Sequence, residues 1–280
     1  MDDQGKWRLN FHCVKIKPQQ KMKTPTLTNP PSPQTEALVR QLSKKRIEED
    51  LRQYLKLLDS KVREGKIHEF LASHSYFFNG ILDLYSHSPL YSKIKLGHDY
   101  EVDFAWLNHD SFGAEWRLVE IEGARSMLFT KSGNPSAILT HAIQQIRDWL
   151  GWIHDHAEYV RKLMPKIDYP WCYLFLGRRC EITPTNQKKL KRLRYDYSMQ
   201  VEIHTLDWFA RAAANTAHLV GIDGGDWRVP MNALSHRELK KGVPPAAQKW
   251  LEVNYSDWLL QQRKGQRKSV AIINSELDLT

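Results

Sequence analysis

Trp116-Arg117-Leu118-Val119-Glu120-Ile121-Glu122 is the stretch that decides the fold. It is apolar enough for a buried strand, yet it carries two carboxylates two residues apart. Side chains alternate along a strand, so Glu120 and Glu122 share a face opposite Val119 and Ile121. Upstream, Tyr100-Glu101-Val102-Asp103-Phe104-Ala105-Trp106 reads as a second strand. Regular alternation there puts Glu101 and Asp103 on one face and Tyr100, Val102, Phe104 and Trp106 on the other. The intervening Asn108-His109-Asp110-Ser111-Phe112-Gly113 is rich in turn formers and closes the two strands as a hairpin. Three or four carboxylates then meet on one patch of sheet. Their mutual repulsion calls for a neutralising cation, and hard oxygen ligands suit Mg²⁺.

Standing alone, such a hairpin reads as the solvated face of a half-exposed sheet. The residues after it change that reading. Arg125 to Pro135 is a loop, Ser136 starts a helix, and Ile138, Ala142, Ile146, Trp149, Leu150 and Ile153 form that helix's apolar stripe. Gln145 lies on the same helix, four residues before Trp149.

Asp103 on a hairpin, the Glu120-x-Glu122 strand and the Gln145-x-x-x-Trp149 helix together resemble the PD-(D/E)XK nuclease core. The surrounding pieces are similar to the Shedu family of bacterial anti-phage proteins: Phe70-Leu71, Gly97 through Phe104, Leu128-Phe129, Leu174-Phe175-Leu176-Gly177-Arg178, and a closing Thr205-Leu206-Asp207-Trp208-Phe209. The resemblance covers roughly residues 60 to 215. It implies an α/β fold, a restriction-endonuclease-like core with a mixed central sheet flanked by helices. It also implies a Mg²⁺-dependent endodeoxyribonuclease, with Mn²⁺ as a substitute, that hydrolyses phosphodiester bonds of invading DNA. Asp103, Glu120, Glu122 and Gln145 are then the catalytic set. Asp103 and Glu120 hold the metal, with the Ile121 carbonyl as a further ligand, and Gln145 positions water or phosphate. DNA and further copies of the chain, as a dimer or tetramer, are the implied partners.

Position 122 departs from the pattern. The superfamily usually has Lys there, which orients the attacking water and offsets transition-state charge. Glu122 cannot supply positive charge; it is suited instead to ligation or to taking a proton from water. That departure favours the alternative function, a catalytically silent nucleic-acid-binding or sensing module that retains the fold.

Composition agrees with an intracellular enzyme acting on a polyanion. The chain has 280 residues, 41% of them hydrophobic, and a formal charge of +9, enough for one sizeable core with appendages. Residues 161–194 hold ten Lys and Arg against two acids. Within that run, Arg178, Lys188, Lys189, Lys191 and Arg192 are the candidate phosphate contacts, with a solvated helix face as the simpler alternative. Cys13, Cys172 and Cys180 lack metal spacing and read as free cytosolic thiols, and neither a signal peptide nor a membrane span is apparent, so a cytoplasmic location is expected.

Composition divides the chain into four segments. Residues 1–35 hold a short strand (7–16) and a Pro-rich linker with Pro18, Pro25, Pro30, Pro31 and Pro33. Residues 36–60 are helical, with Leu38, Leu42, Ile47, Leu51, Leu55 and Leu58 in phase. Residues 61–217 form the nuclease-like core, in the order α-β-β-β-α-β-α-β-α, with Glu64 and Glu69 near an early helix that can reach the metal site. Residues 218–280, with Trp227, Trp250, Trp258 and a basic cluster at 263–268, form an extension without a recognisable motif.

Overall fold

The hairpin forms and extends further than its turn residues suggest. In the computed structural model, which describes residues 39–42, 44–60, 62–78, 89–110, 113–196, 201–223, 227–230 and 232–244, the elements run in this order. First come β1 (Val39–Leu42), α1 (Lys44–Asp59), α2 (Glu64–Ser73), a 3-10 turn at Ser75–Phe78, β2 (Tyr91–Leu96), β3 (Tyr100–Asp110) and β4 (Gly113–Ile121). Next are α3 (Ala137–Asp155), α4 (Ala157–Leu163), β5 (Trp171–Phe175), α5 (Pro184–Asp196), β6 (Val201–His204), α6 (Asp207–Asp223), β7 (Trp227–Pro230), β8 (Leu234–Ser235) and α7 (His236–Leu239). The turn is tighter than the six residues read from sequence: Asp110 still pairs with Gly113.

A six-stranded sheet runs β6-β5-β4-β3-β2-β8. Strands β2, β3 and β4 are antiparallel neighbours, whereas β4, β5 and β6 are parallel. Parallel neighbours need crossovers. Helices α3 and α4 make the first and α5 the second. The expected α/β class with a mixed sheet flanked by helices is what the chain adopts.

Two apolar cores sandwich the sheet. On one face Leu139, Ala142, Ile143, Ile146, Trp149 and Ile153 of α3 pack on Ile94, Val102, Ala105, Trp116 and Leu118. On the other, Tyr54 and Leu58 of α1, Ile67 and Leu71 of α2, and Phe209 and Ala213 of α6 cover Phe104, Trp106, Val119 and Ile121. Each fully buried side chain of this size contributes about 1.5–3 kcal/mol. The α3 stripe departs from the sequence reading at its first residue. Ser136, in extended backbone, accepts from the Leu139 N–H at 3.1 Å and sets the helix phase. Leu139 thus turns inward and Ile138 is left 43% exposed.

The segment before the core is also corrected. Residues 39–42 form a strand paired antiparallel with β7, not the start of a helix; its partner lies far along the chain, so local periodicity cannot reveal it. Helix α1 buries Ile47, Asp50, Tyr54 and Leu58. Asp50 is tolerated there because it accepts from the Tyr76 hydroxyl at 2.8 Å and Arg46 Nε at 3.0 Å. Part of the C-terminal extension joins the body, since β8 extends the sheet and Leu239 and Val243 enter the first core. The strand at 7–16, the Pro-rich linker, Cys13, Trp250, Trp258 and the 263–268 cluster lie outside the described residues.

Candidate active site

The carboxylates converge where β3 and β4 part. Their ladder runs from Asp110 opposite Gly113 to Phe104 opposite Val119 and stops there. At the next step Asp103 uses its side chain in place of its backbone, and Oδ2 accepts the Ile121 N–H at 2.8 Å. Beyond the fork β4 keeps to β5 instead, with the Glu122 N–H donating to the Phe175 carbonyl at 2.8 Å. Gly177 fixes this branch. Its φ of +62° suits glycine, and an added Cβ would lie 2.4 Å from the Ser126 carbonyl oxygen. The loops after β4 and β5 can therefore lie against each other.

Glu120 and Glu122 share one face, as strand alternation requires, while Val119 and Ile121 enter the opposite core. The regular alternation expected around Asp103 does not hold. Val102 packs in the first core but Phe104 and Trp106 in the second. A reset on β2 matches it: Ser92 faces Phe104 and Ile94 faces Val102, which leaves Lys93 opposite Asp103 at the irregular step. Lys93 has φ +52°, in the left-handed region that side-chain-bearing residues avoid. Its ammonium lies 2.6 Å from Asp103 Oδ1 and 3.4 Å from Glu101 Oε1. From α2, His68 Nε2 approaches the Asp103 backbone carbonyl at 3.3 Å, with its ring stacked on Phe104.

Helix α3 supplies the other wall. Gln145 Nε2 donates to Glu120 Oε1 at 2.8 Å, so the glutamine orients that carboxylate. Asp103, Glu120, Glu122 and Gln145 line one cavity of about 560 Å³ together with Glu64, Lys93, His141 and Asp148. Of the two glutamates weighed on the early helix, Glu64 lines the cavity, whereas Glu69 does not and is paired with Lys66 at 2.7 Å. Two other open cavities, about 660 and 800 Å³, lie beside Arg178 and beside Trp171, away from the carboxylate cluster.

Electrostatics mark the cluster as short of positive charge. Burial, reinforced by the charges of Asp103, Glu122 and Glu64, pushes Glu120 up to about 10. Glu64 is pushed up to about 7 by burial and then by Glu122 and Asp103. Its hydrogen bond with Glu122 raises Glu64 and lowers Glu122, so Glu64 is the proton donor. Glu122 is nonetheless raised, first by burial and then by Asp103.

These shifts fix a pH dependence. Both glutamates are raised from 4.5, so the folded state binds more protons than the unfolded one as the pH climbs. The stability they contribute is complete below 4.5, and Glu64's share is lost through about 7 and Glu120's through about 10. In chelator, the thermal midpoint should therefore fall with rising pH, and Glu120→Gln should flatten the alkaline part of that fall. A midpoint equally pH-dependent in both proteins would count against the assignment to Glu120.

Among the described residues, no group of three or more His, Cys, Asp or Glu side chains is already arranged around a metal position. The donor chemistry nevertheless fits a hard divalent cation: desolvated carboxylates crowd together, and burial followed by the neighbouring carboxylates pushes Glu120 up to about 10. Asp103 and Glu120 are the pair that would hold it. At present Asp103 is held by Lys93 and the Ile121 N–H, and Glu120 by Gln145.

A family model described as Shedu protein SduA, C-terminal, matches residues 61–209. The chain belongs to the Shedu family. The match in this Shedu protein begins just before α2 and ends in the first turn of α6, so it takes in every residue of the fork. Among curated proteins nothing matches the chain.

The basic residues of this Shedu chain divide into two kinds. Arg178 is engaged within the protein, with Nη1 2.6 Å from Asp59 Oδ1 and Nε 3.1 Å from Asp207 Oδ1. Lys189 donates to the Gly133 carbonyl at 2.6 Å and ties α5 to the loop after β4. Lys188, Lys191 and Arg192 are exposed on α5. No helix among the described residues is long and apolar enough to cross a membrane. Sequence pattern did not mark Lys93, His68 or His141 as site residues. Counting outward from the Gly97-His98-Asp99 turn would have placed Lys93 opposite Asp103.

Proposed function

We propose that this chain is a Mg²⁺-dependent endodeoxyribonuclease with a PD-(D/E)XK core, acting in the cytoplasm as a homo-oligomer on phage DNA. The observation that carries the reading is the fork itself. Asp103 and Glu120 come from parting strands into one cavity with Glu122 and Gln145, and the cluster lacks the positive charge it needs. Family membership supports the defence role.

When bound, Mg²⁺ (or Mn²⁺) supplies Lewis-acid charge at a phosphoryl oxygen and acidifies water. Asp103 and Glu120 hold it, with the Ile121 carbonyl as a further ligand. Gln145 keeps the Glu120 carboxylate in one orientation. Glu122, raised by burial and by Asp103 and hydrogen-bonded to Glu64, is a base closer to neutrality than an ordinary glutamate. It takes a proton from the attacking water, whose oxygen bonds to phosphorus opposite the leaving oxygen. The deciding experiment is incubation of purified protein with linear and circular DNA in Mg²⁺, Mn²⁺ or chelator. Metal-dependent cutting supports the nuclease. DNA binding without cutting in any metal supports a silent binding module, the reading that Glu122 in place of Lys favours.

A second measurement concerns the DNA path. Lys188, Lys191 and Arg192 project from α5 into solvent, and each phosphate a protein neutralises adds about 0.9 to the salt slope for duplex DNA. Replacing the three with Gln should flatten the slope by that amount for each phosphate no longer neutralised. An unchanged slope would make α5 a solvated face and move the DNA elsewhere.

A further inference from the structure

We infer that Lys93 is a catalytic residue of this site, the cation that stabilises negative charge on the scissile phosphate in place of the lysine absent at position 122. The inference rests on the nuclease reading above. Among the described residues that line the carboxylate cavity, Lys93 is the one Lys or Arg. It reaches the cavity from β2, not from the strand that carries Glu120 and Glu122. Sequence periodicity along β4 therefore cannot find it.

The backbone is bent to deliver it. Tyr91 and Ile94 both enter the first core although they are three positions apart, which regular alternation would put on opposite faces, and the left-handed step at Lys93 makes that possible. A regular strand would need no such step, and an ion pair alone does not require one. Strained positions of this kind persist where surrounding structure holds them, often at functional sites. Here the partner strand makes the matching reset at Asp103. The lysine side chain is 46% exposed while Asp103 is 7% exposed, so the ammonium stands at the mouth of the cluster with the carboxylate behind it. A phosphodiester entering the cavity meets that ammonium before it meets Asp103.

The chemistry balances with Lys93 protonated throughout. The water oxygen forms the new bond to phosphorus, and its proton passes to Glu122. The bond from phosphorus to the leaving oxygen breaks, and that oxygen takes a proton from solvent. Lys93 donates hydrogen bonds to the non-bridging oxygens on which charge accumulates, which favours the transition state over the ground state. In the absence of DNA the same ammonium neutralises Asp103, so it also competes with the divalent cation for that carboxylate.

Two opposite effects should therefore appear in Lys93→Met. Cleavage at saturating Mg²⁺ should fall about 10²-fold, while the Mg²⁺ concentration that half-completes the thermal stabilisation should move lower. Lys93→Gly removes the ammonium and relaxes the left-handed backbone, so it should stay folded and lose cleavage alike. Lys93→Arg, which keeps the charge, should retain more activity than either. Loss of cleavage together with weaker Mg²⁺ binding would make Lys93 a mere support for Asp103 and overturn the assignment. Wild-type cleavage by Lys93→Met overturns it alone, leaving the nuclease reading intact. A wild-type protein that cuts no DNA in Mg²⁺ or Mn²⁺ overturns both.

Discussion

Asp103→Ala and Glu120→Ala each remove detectable DNA cleavage while the protein remains folded. Both carboxylates belong to the inferred metal pair, and the charge they hold in place stabilises the transition state by several kcal/mol, about three factors of ten or more in rate. Their effects on stability differ. Asp103→Ala deprives the buried Ile121 N–H of its acceptor at the fork and removes a partner of Lys93. An unsatisfied buried donor costs about 1–3 kcal/mol. Asp103→Asn keeps an oxygen for that N–H and should restore most of the stability without the activity. Glu120→Ala removes a carboxyl group that burial and its neighbours push up to about 10, so the metal-free variant should lose less stability than wild type as the pH rises from 4.5 through about 10. Cleavage at wild-type rates in either alanine variant, under matched metal and salt, would sink the metal assignment. Loss of cleavage with a collapsed melting curve in Glu120→Ala would point to scaffolding instead.

Much of the architecture was legible because it rests on local pattern. The β4 carboxylates alternate with Val119 and Ile121, and no distant residue is needed to read which face they share. Ser136 announces α3 by capping it, and the apolar stripe after it errs only in its first residue. The features that could not be read depend on partners far away in sequence. Strand β1 exists because β7 pairs with it. Arg178 looked like a phosphate contact in a basic run, yet Asp59 and Asp207 hold it from two other elements. The alternation rule failed at Asp103 for a different reason. It assumes every residue is extended, and the paired irregularity at Lys93 and Asp103 breaks that assumption on both strands. The feature that defeated the pattern is also the one that brings Lys93 to the cluster.

Glu122→Gln should cut turnover by about 10²–10⁴-fold, the range that removal of a general base produces, with little loss of stability or DNA affinity. The amide keeps the shape of the glutamate but neither its charge nor its proton affinity. Its surroundings make it a suitable base: burial and Asp103 raise it, while the Glu64 hydrogen bond holds it on the cavity side. Glu64 gives the variant a second signature. With Glu122 neutral, one of the charges that push Glu64 up to about 7 is gone, so Glu64 should titrate at lower pH in the variant than in the wild type, as read by NMR of its side-chain carboxyl carbon. Glu122→Lys should bring no gain. It removes the base and sets a second cation near Lys93, in a site whose acidic residues would have to hold a divalent metal beside both. Full activity in Glu122→Gln would take that residue out of proton transfer and leave Asp103, Glu120 and Lys93 to account for catalysis. If the wild type and Glu122→Gln both bind DNA and neither cuts it, the silent-module reading replaces the nuclease.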